Sequence, residues 1–192
     1  AEYRMIFVLS GPSGSGKTTL RDLLLKDKAL RKLFVKSVSL TTRPMRTGER
    51  EGRDYFFINE AVFKNLRKNK RILEWTKYLG YYYGTKKDLL EDGLSRGKNI
   101  LLCLDFKGAR RLKKLYPQEA VTIFILPPSL EELRKRIEKR SLGTKKQEVS
   151  RRMMRAASEL KNIPEYDYVL KNINLIQAVK RLKDIILKNA IK

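Results

Sequence analysis

Histidine is absent from this chain of 192 residues, and cysteine occurs once, at Cys103. Without histidine, no imidazole can serve as a general base. A single thiol excludes a disulfide within the chain, and it leaves too few soft ligands for a zinc site. A lone cysteine is typical of a reducing compartment, so we expect a cytoplasmic protein.

Long apolar runs are also missing. No stretch approaches the roughly 20 apolar residues of a membrane-spanning helix. The segment that begins at Ala1 lacks the charged region, the apolar region and the cleavage site of a secretory signal. We therefore expect no association with a membrane. Hydrophobic residues make up 42% of the chain, which suits one domain with its own core.

Acidic residues are scarce, since 21 Asp and Glu stand against 44 Lys and Arg and give a formal net charge of +23. Such an excess attracts polyanions, so nucleic-acid binding is one interpretation. However, the basic residues are spread over nearly every polar face, and aromatic residues do not alternate with them. We favour a lysine-rich surface with a smaller share of the charge at phosphate-binding positions. No specific nucleic-acid partner is expected, only weak and salt-sensitive binding.

Short apolar runs alternate with amphipathic segments over most of the chain. The runs predict buried strands at residues 5–9, 34–40, 99–105 and 121–126, with a last strand around residue 169. Helices are expected to about residue 26, after the strands at 99–105 and 121–126, and from residue 175. This alternation predicts an α/β fold with a mainly parallel sheet and helices on both faces.

Two segments depart from this alternation. From residue 41 to about residue 85, charged turns and short aromatic-rich strands surround a helix at about 60–69, which predicts a smaller inserted subdomain. Residues 135–155 have the pattern of a helix–loop–helix with many basic residues and only Glu138 and Glu148 as acids. That balance does not suit a packed core, so we expect a mobile flap.

Residues 11–18, Gly-Pro-Ser-Gly-Ser-Gly-Lys-Thr, match the phosphate-binding pattern G-x-x-x-x-G-K-[ST] between a predicted strand and a predicted helix. The glycines let backbone N–H groups close around phosphate oxygens at the positive end of the helix. Lys17 would neutralise the β- and γ-phosphates, and the Thr18 hydroxyl would ligate Mg²⁺. The strand–loop–helix context argues against a chance glycine-rich turn. The motif predicts a bound nucleoside triphosphate without defining the reaction.

Residues 39–55 carry a second cluster of candidate phosphate ligands. Arg43 and Arg46 can fork onto a compact phosphate dianion, and the Tyr55 hydroxyl can add a further hydrogen bond. A charged surface hairpin would explain the arginines but not the residues around them.

Glu74 lies between the large apolar residues Leu73 and Trp75, an unusual setting for a carboxylate without a partner. A guanine edge would provide one, because its N1–H and N2–H₂ are adjacent donors. Guanine O6 would need donors such as Ser39 and Thr85. Adenine has a lone pair at N1 and would face Glu74 unfavourably. An ordinary salt bridge from Glu74 to Lys77 is the alternative interpretation.

Several strings of residues resemble the guanylate kinase family in order and spacing along almost the whole chain. They are Ser-Gly-Pro-Ser-Gly-Ser-Gly-Lys-Thr-Thr from Ser10, the arginine-containing string from Ser39 to Phe57, Glu-Trp at 74–75, Tyr-Tyr-Gly-Thr at 82–85, and Leu-x-Leu-Asp-x-x-Gly at 102–108. The arginine-containing string is highly specific to this family, whereas the phosphate-loop motif alone is not.

The resemblance implies ATP-dependent phosphorylation of GMP to GDP, and of dGMP to dGDP, with Mg²⁺. It also implies a P-loop NTPase-type parallel sheet flanked by helices. The expected divisions are a core of residues 1–37, 97–136 and 154–192, a mixed α/β GMP-binding insert at 38–96, and a basic helical lid at 137–153. ATP and GMP are the expected partners, and the oligomeric state stays open.

The resemblance further assigns roles to individual residues. The implied ATP-binding residues are Gly11, Pro12, Ser13, Gly14, Ser15, Gly16, Lys17, Thr18, Thr19 and Asn172. For GMP, the implied phosphate ligands are Arg43, Arg46, Tyr55 and Tyr83, the implied guanine ligands are Ser39, Glu74, Thr85 and Asp105, and Glu49 is implied to brace the site. Lid arginines reaching over the ATP phosphates are implied at Arg136, Arg140 and Arg152, with Arg151 as an alternative to the last. Catalysis would depend on Lys17, Arg43 and these lid arginines.

Three positions depart from the family pattern. Cys103 stands where an acidic residue is usual two places before Asp105, Ile173 follows Asn172 where an aspartate is usual, and Thr85 replaces a frequent serine. The loss of an acid at Cys103 favours a catalytically weak, protein-binding relative, but the intact Lys17-Thr18 pair argues against one. The guanine-reading set argues against a kinase of another small phosphorylated substrate.

Overall fold

The computed structural model describes residues 4–140 and 146–190. Its strands are β1 (Ile6–Ser10), β2 (Phe34–Lys36), β3 (Leu40–Thr41), β4 (Phe56–Phe57), β5 (Ile72–Tyr78), β6 (Tyr81–Lys86), β7 (Asn99–Cys103), β8 (Ala120–Leu126) and β9 (Tyr168–Lys171). Its helices are α1 (Lys17–Leu24), α2 (Lys28–Leu33), α3 (Glu60–Lys68), α4 (Lys87–Ser95), α5 (Phe106–Leu115), α6 (Leu130–Arg140), α7 (Lys146–Leu160) and α8 (Leu175–Ala190). None of these helices is long and apolar enough to cross a membrane.

Five parallel strands form the central sheet in the order β2-β7-β1-β8-β9. Every residue of β1 is buried, as expected for a parallel strand covered by helices on both faces. Because side chains alternate along a strand, Phe7 faces a core that includes Leu182 of α8, whereas Val8 faces one that includes Leu90 of α4 and Leu112 of α5. The predicted α/β fold with helices on both faces is therefore confirmed.

A second, smaller sheet has the order β4-β3-β6-β5 and mixed strand directions. Helix α3 packs against it through Phe63, whose ring stacks on Tyr82 at 5.1 Å. The contact between Phe63 and Tyr82 thus anchors α3 on the second sheet. Strand β5 was not predicted.

The prediction of one strand over residues 34–40 is wrong, because the chain changes sheets within it. Ser37 N still bonds to Leu101 O of the central sheet at 3.1 Å, but Ser39 O accepts from Phe56 N of the second sheet at 2.9 Å. Hydrogen bonds to two different partners therefore split the run into β2 and β3. The split places Ser39 at the junction of the two sheets.

Helices α6 and α7 pack together over a small apolar cluster of Leu133, Ile137 and Ala156. This pair also borders the phosphate-binding loop, since a Cβ added at Gly14 would lie 3.2 Å from Leu133 Cδ1. The basic segment therefore has an apolar contact surface that its charge balance did not indicate. Residues 141–145 lie outside the described residues, and the predicted mobility of the flap stays a prediction.

Candidate active site

One open cavity of about 1150 Å³ lies between the phosphate-binding loop, the second sheet and α7, and we call it the active-site cavity. It extends from the carboxyl ends of β1 and β7 to side chains along β5 and β6 of the second sheet. In parallel α/β sheets, ligands bind beyond the carboxyl ends of the strands. The residues predicted from sequence that line it are Gly11, Ser13, Gly14, Gly16, Lys17, Thr18, Thr19, Ser39, Arg43, Arg46, Glu49, Tyr55, Glu74, Tyr83, Asp105 and Arg152.

The phosphate-binding loop between β1 and α1 needs glycine at two positions. Gly11 and Gly16 have φ values of 133° and 99°, in the region that side chains rarely adopt. A Cβ at Gly11 would lie 2.5 Å from Ile125 O, and one at Gly16 would overlap Asn172 Nδ2. Lys17 folds back over this loop, where its Nζ donates to Gly11 O at 2.6 Å and to Pro12 O at 2.8 Å.

Three predicted ATP-binding residues do not line the cavity: two belong to the loop itself, and Asn172 packs against it. Pro12 contributes its carbonyl to Lys17, and Ser15 is fully buried. Asn172 is also buried, and its Nδ2 donates to Ser15 O at 2.9 Å. Asn172 therefore supports the loop through this hydrogen bond, and its predicted contact with ATP stays a prediction.

Thr18, the predicted metal ligand, is exposed and lines the cavity. Among the described residues, no group of three or more His, Cys, Asp or Glu side chains could hold a metal ion. Mg²⁺ in nucleotide sites usually keeps several waters and takes only one or two protein ligands beside the phosphates. An exposed hydroxyl next to a phosphate-binding loop fits that mode.

Arg43 is almost fully buried on the opposite wall, and Glu49 holds its guanidinium in two-point contact. Nη1 and Nη2 donate to Glu49 Oε2 and Oε1 at 3.0 and 2.8 Å. The guanidinium also lies 5.4 Å from the ring centre of Tyr55 and 5.7 Å from that of Phe57. Burial acts to lower the pKa of Arg43, but Glu49 and Tyr83 raise it overall. Arg43 is thus a fixed cation.

Tyr55 and Tyr83 lie next to Arg43, with their rings edge to face at 5.8 Å. Burial raises the pKa of Tyr55 to about 12, and the neighbouring Tyr83 adds to the effect. The Tyr55 hydroxyl therefore keeps its proton and can donate to an anion. Arg46 reaches the same wall, and its backbone N donates to Glu49 Oε2 at 2.8 Å.

Glu74 projects from β5 and is 6% exposed. Thr85, its register partner on β6, donates from Oγ1 to Glu74 Oε1 at 2.6 Å. Burial raises the pKa of Glu74 to about 7, with a further rise from Asp105 and an opposing effect of the Thr85 hydrogen bond. Thr85 is fully buried and absent from the cavity wall. The Thr85 hydroxyl thus orients Glu74, and the predicted contact of Thr85 with guanine stays a prediction.

Asp105 stands beside Glu74 at the start of α5, where its Oδ1 accepts from Gly108 N at 2.9 Å. A side chain at Gly108 would collide with the other carboxylate, because its Cβ would lie 2.7 Å from Glu74 Oε2. The glycine thus leaves room for two carboxylates at one helix N-terminus. The predicted base-reading residues Ser39, Glu74 and Asp105 all line the cavity.

The predicted lid arginines are placed differently from one another. Arg152 is 6% exposed, lines the cavity and pairs with Glu148, whereas its neighbour Arg151 is exposed. Of the two alternatives, only Arg152 lines the cavity, and its contact with the ATP phosphates stays a prediction. Arg136 pairs with Glu132 at 3.2 Å and does not line the cavity. The side chain of Arg140 lies outside the described residues.

Sequence reasoning missed further charged residues in and beside the cavity, among them Arg155, Glu159, Arg21 and Asp22. Arg155 lies 4.3 Å from the ring centre of Tyr78 and 3.7 Å from Asp105 Oδ2. Burial raises the pKa of Glu159, although Lys17 and Arg155 oppose the rise. Spacing could have found them, because positions 152, 155 and 159 share one helical face. The other two, Arg21 and Asp22, follow the phosphate-binding motif on α1.

Comparisons with known proteins agree with this geometry. The family model described as guanylate kinase matches residues 3–189. The guanylate kinase of Wolbachia pipientis is 41% identical over 98% of this chain and 92% of the relative, and that of Caldanaerobacter subterraneus is 41% identical over 95% and 86%. A crystal structure of guanylate kinase from Anaplasma phagocytophilum is 34% identical and aligns with a TM-score of 0.82, covering 100% of this chain and 88% of that one. The resemblance seen in the motifs is confirmed, and this chain belongs to the guanylate kinase family.

Proposed function

We propose that this protein transfers the γ-phosphoryl group of ATP to the phosphate of GMP, giving ADP and GDP. The observation that carries the proposal is the shared cavity, which has the phosphate-binding loop on one wall and Arg43, Arg46, Tyr55 and Tyr83 on another. Family membership supports the same reaction. One cavity with two anion-binding walls is what a direct transfer between two phosphates requires.

The reaction needs no protein base, in keeping with the absence of histidine. The acceptor phosphate has a second pKa of roughly 6 and is already a nucleophile at neutral pH. One of its oxygens would form a bond to the γ-phosphorus while the bond from the γ-phosphorus to the β–γ bridging oxygen breaks. Arg43 would hold the attacking phosphate, with Glu49 fixing the guanidinium from behind.

Positive charge around the transferred group would come from Lys17 on the loop and Arg152 on α7. Thr18 would hold Mg²⁺ through its hydroxyl, and the metal would neutralise charge on the β- and γ-phosphates. Lys17 Nζ now bonds to carbonyls of its own loop, so it would exchange these contacts for phosphate oxygens. We further propose that the lid, residues 137–153, closes over ATP and excludes water.

Guanine would be chosen by Glu74, which accepts hydrogen bonds from N1–H and N2–H₂. Thr85 holds one carboxylate oxygen, so the direction of the group is set before the base arrives. Asp105 would add a second acceptor and Ser39 a donor to O6. AMP would place its N1 lone pair against Glu74 and leave buried groups unpaired, at about 1–3 kcal/mol each.

A coupled assay with Mg²⁺–ATP and GMP, dGMP, AMP, UMP and CMP tests the proposal. We expect turnover with GMP and dGMP, little with the other three, and none in Lys17→Ala, which circular dichroism should show to be folded. Near-normal turnover in Lys17→Ala, or no consumption of ATP with GMP, would refute the assignment. The second result would instead favour a non-catalytic binding protein.

A further inference from the structure

Arg21 is a buried cation of the active-site cavity that the reaction described above does not use. It lies on α1 one helical turn after Lys17, it is 4% exposed, and it lines the cavity wall. Arginine is rarely buried to this extent without a partner, because desolvation of its charge is costly. The contacts that Arg21 makes therefore indicate the role of its side chain.

Asp22 occupies only one edge of the Arg21 guanidinium. Arg21 Nε donates to Asp22 Oδ1 at 2.9 Å, and the same oxygen lies 3.2 Å from Lys36 Nζ. The Asp22 side chain is 47% exposed. Its carboxylate is therefore solvated and also paired with Lys36, so it neutralises Arg21 only in part. A guanidinium carries five N–H donors. In the part of the chain that the structure describes, no hydrogen-bond acceptor for Nη1 or Nη2 of Arg21 is found.

The surroundings of Arg21 connect the two walls of the cavity. Burial acts to lower the pKa of Arg21, but nearby acidic groups, of which the Asp22 carboxylate is ionised at neutral pH, raise it overall. Tyr55 belongs to the wall that also carries Arg43, whereas α1 carries the phosphate-binding lysine and threonine. Arg21 thus lines the same cavity as Tyr55 and Arg43, but from the helix that follows the phosphate-binding loop.

Cys103 keeps this guanidinium available. Burial raises the pKa of its thiol even though Arg21 and Lys17 act to lower it, so the group stays neutral. A carboxylate at position 103 would compete for the charge of Arg21, because the two side chains influence each other electrostatically. A thiol leaves the guanidinium donors for another anion.

We propose that Arg21 is a further ligand of the GMP phosphate, reaching it from α1 on the side opposite Arg43 and Arg46. This inference rests on the proposed function, and it adds a contact from the ATP-binding side to the acceptor phosphate. Cys103 would then be a permissive residue rather than a defect of the site.

Calorimetric titration of GMP and of guanosine, without ATP, tests the contact. Arg21→Gln should weaken GMP binding roughly ten- to a hundred-fold, the usual loss for a hydrogen bond to a charged group, and should leave guanosine binding within twofold. Arg31→Gln, which removes an exposed arginine of α2, controls for net charge and should change neither. GMP binding within twofold of wild type in Arg21→Gln overturns the proposal, as does an equal loss for guanosine.

Two further measurements guard against misfolding and against failure of the reaction itself. Arg21→Lys keeps the charge without the planar fork and should show an intermediate affinity for GMP, and Cys103→Asp should weaken GMP binding by trapping Arg21. In the wild type, the guanidinium resonances of Arg21 should shift on titration with GMP but not with guanosine, and no shift would overturn the proposal. Wild-type turnover with GMP is measured in parallel, so loss of the reaction is told apart from loss of the Arg21 contact.

Discussion

At the scale of single residues, the buried carboxylate of Glu74 selects the base, and its protonation is open to a direct test. Burial places its pKa at about 7, so the empty site is partly protonated at neutral pH. Guanine needs the ionised form as an acceptor, and binding must therefore release a proton at lower pH. In the ligand-free protein, the raised pKa of Glu74 means that its protonation stabilises the native state. This stabilisation is lost as the pH rises through about 7.

We expect guanosine affinity to fall about tenfold per pH unit below the pKa of Glu74 and to level off above it. Guanosine is used instead of GMP because its missing phosphate cannot titrate in this range. Titration calorimetry between about pH 5.5 and about pH 8.5 measures the profile, and Glu74→Gln should give a flat one. A flat profile in the wild type would contradict the assignment of Glu74 to the base.

Base choice gives a second test of the same residue. Glu74→Gln replaces one acceptor oxygen with a donor that faces the guanine N–H groups. The preference for GMP over AMP in kcat/KM should fall roughly ten- to a hundred-fold, from about 1–3 kcal/mol per mismatched group. An unchanged ratio would mean that Glu74 acts only within the fold, through its hydrogen bond with Thr85.

At the scale of elements, α7 offers a matched pair of neighbouring arginines. Arg152 is buried in the cavity wall, while Arg151 points to solvent. Arginines that neutralise transition-state charge in related phosphoryl transfers contribute on the order of 10³–10⁵ in rate. Steady-state kinetics should show a loss of this order in kcat for Arg152→Gln and a change within twofold for Arg151→Gln. Equal effects of the two substitutions would mean that Arg152 has no specific role in catalysis.

The phosphate-binding loop is held from below by the loop that follows β9. Asn172 Nδ2 bonds to Ser15 O, while Asn174 Oδ1 accepts from Ile176 N at 3.0 Å at the start of α8. Asn172→Ala and Asn174→Ala should each lower the free energy of unfolding by about 1–2 kcal/mol. Only Asn172→Ala should also weaken ATP binding, because only it releases the loop. Equal ATP affinity in both variants would separate Asn172 from the nucleotide site.

At the scale of the whole molecule, the central sheet was predictable because strands buried on both faces are continuous apolar runs. The phosphate-binding loop was also predictable from sequence, because its motif consists of contiguous residues. Strand β5 was missed because Glu74, Thr76 and Lys77 interrupt its apolar pattern. The partner of Thr85 could not be read from sequence either, because the register between β5 and β6 decides whether its hydroxyl faces Glu74 or the cavity.

Residues brought together by tertiary packing were the other part that sequence did not reveal. Arg21 and Glu159 lie on helices whose active-site faces depend on how those helices dock on the sheet. The net charge of +23 likewise does not show which of the basic residues form the site. Composition shows that anions are attracted, but only the fold shows that a few of the cations, such as Arg43, are buried around one cavity.

If one cavity holds the donor and acceptor phosphates together, a ligand that links both nucleosides should occupy both of its walls at once. Adenosine and guanosine joined 5′ to 5′ through a polyphosphate should bind at least a hundred-fold more tightly than GMP alone, since the second contact becomes intramolecular. Calorimetry should also show that the bound ligand excludes both ATP and GMP. Affinity no greater than that of GMP, with ATP still able to bind, would contradict the account.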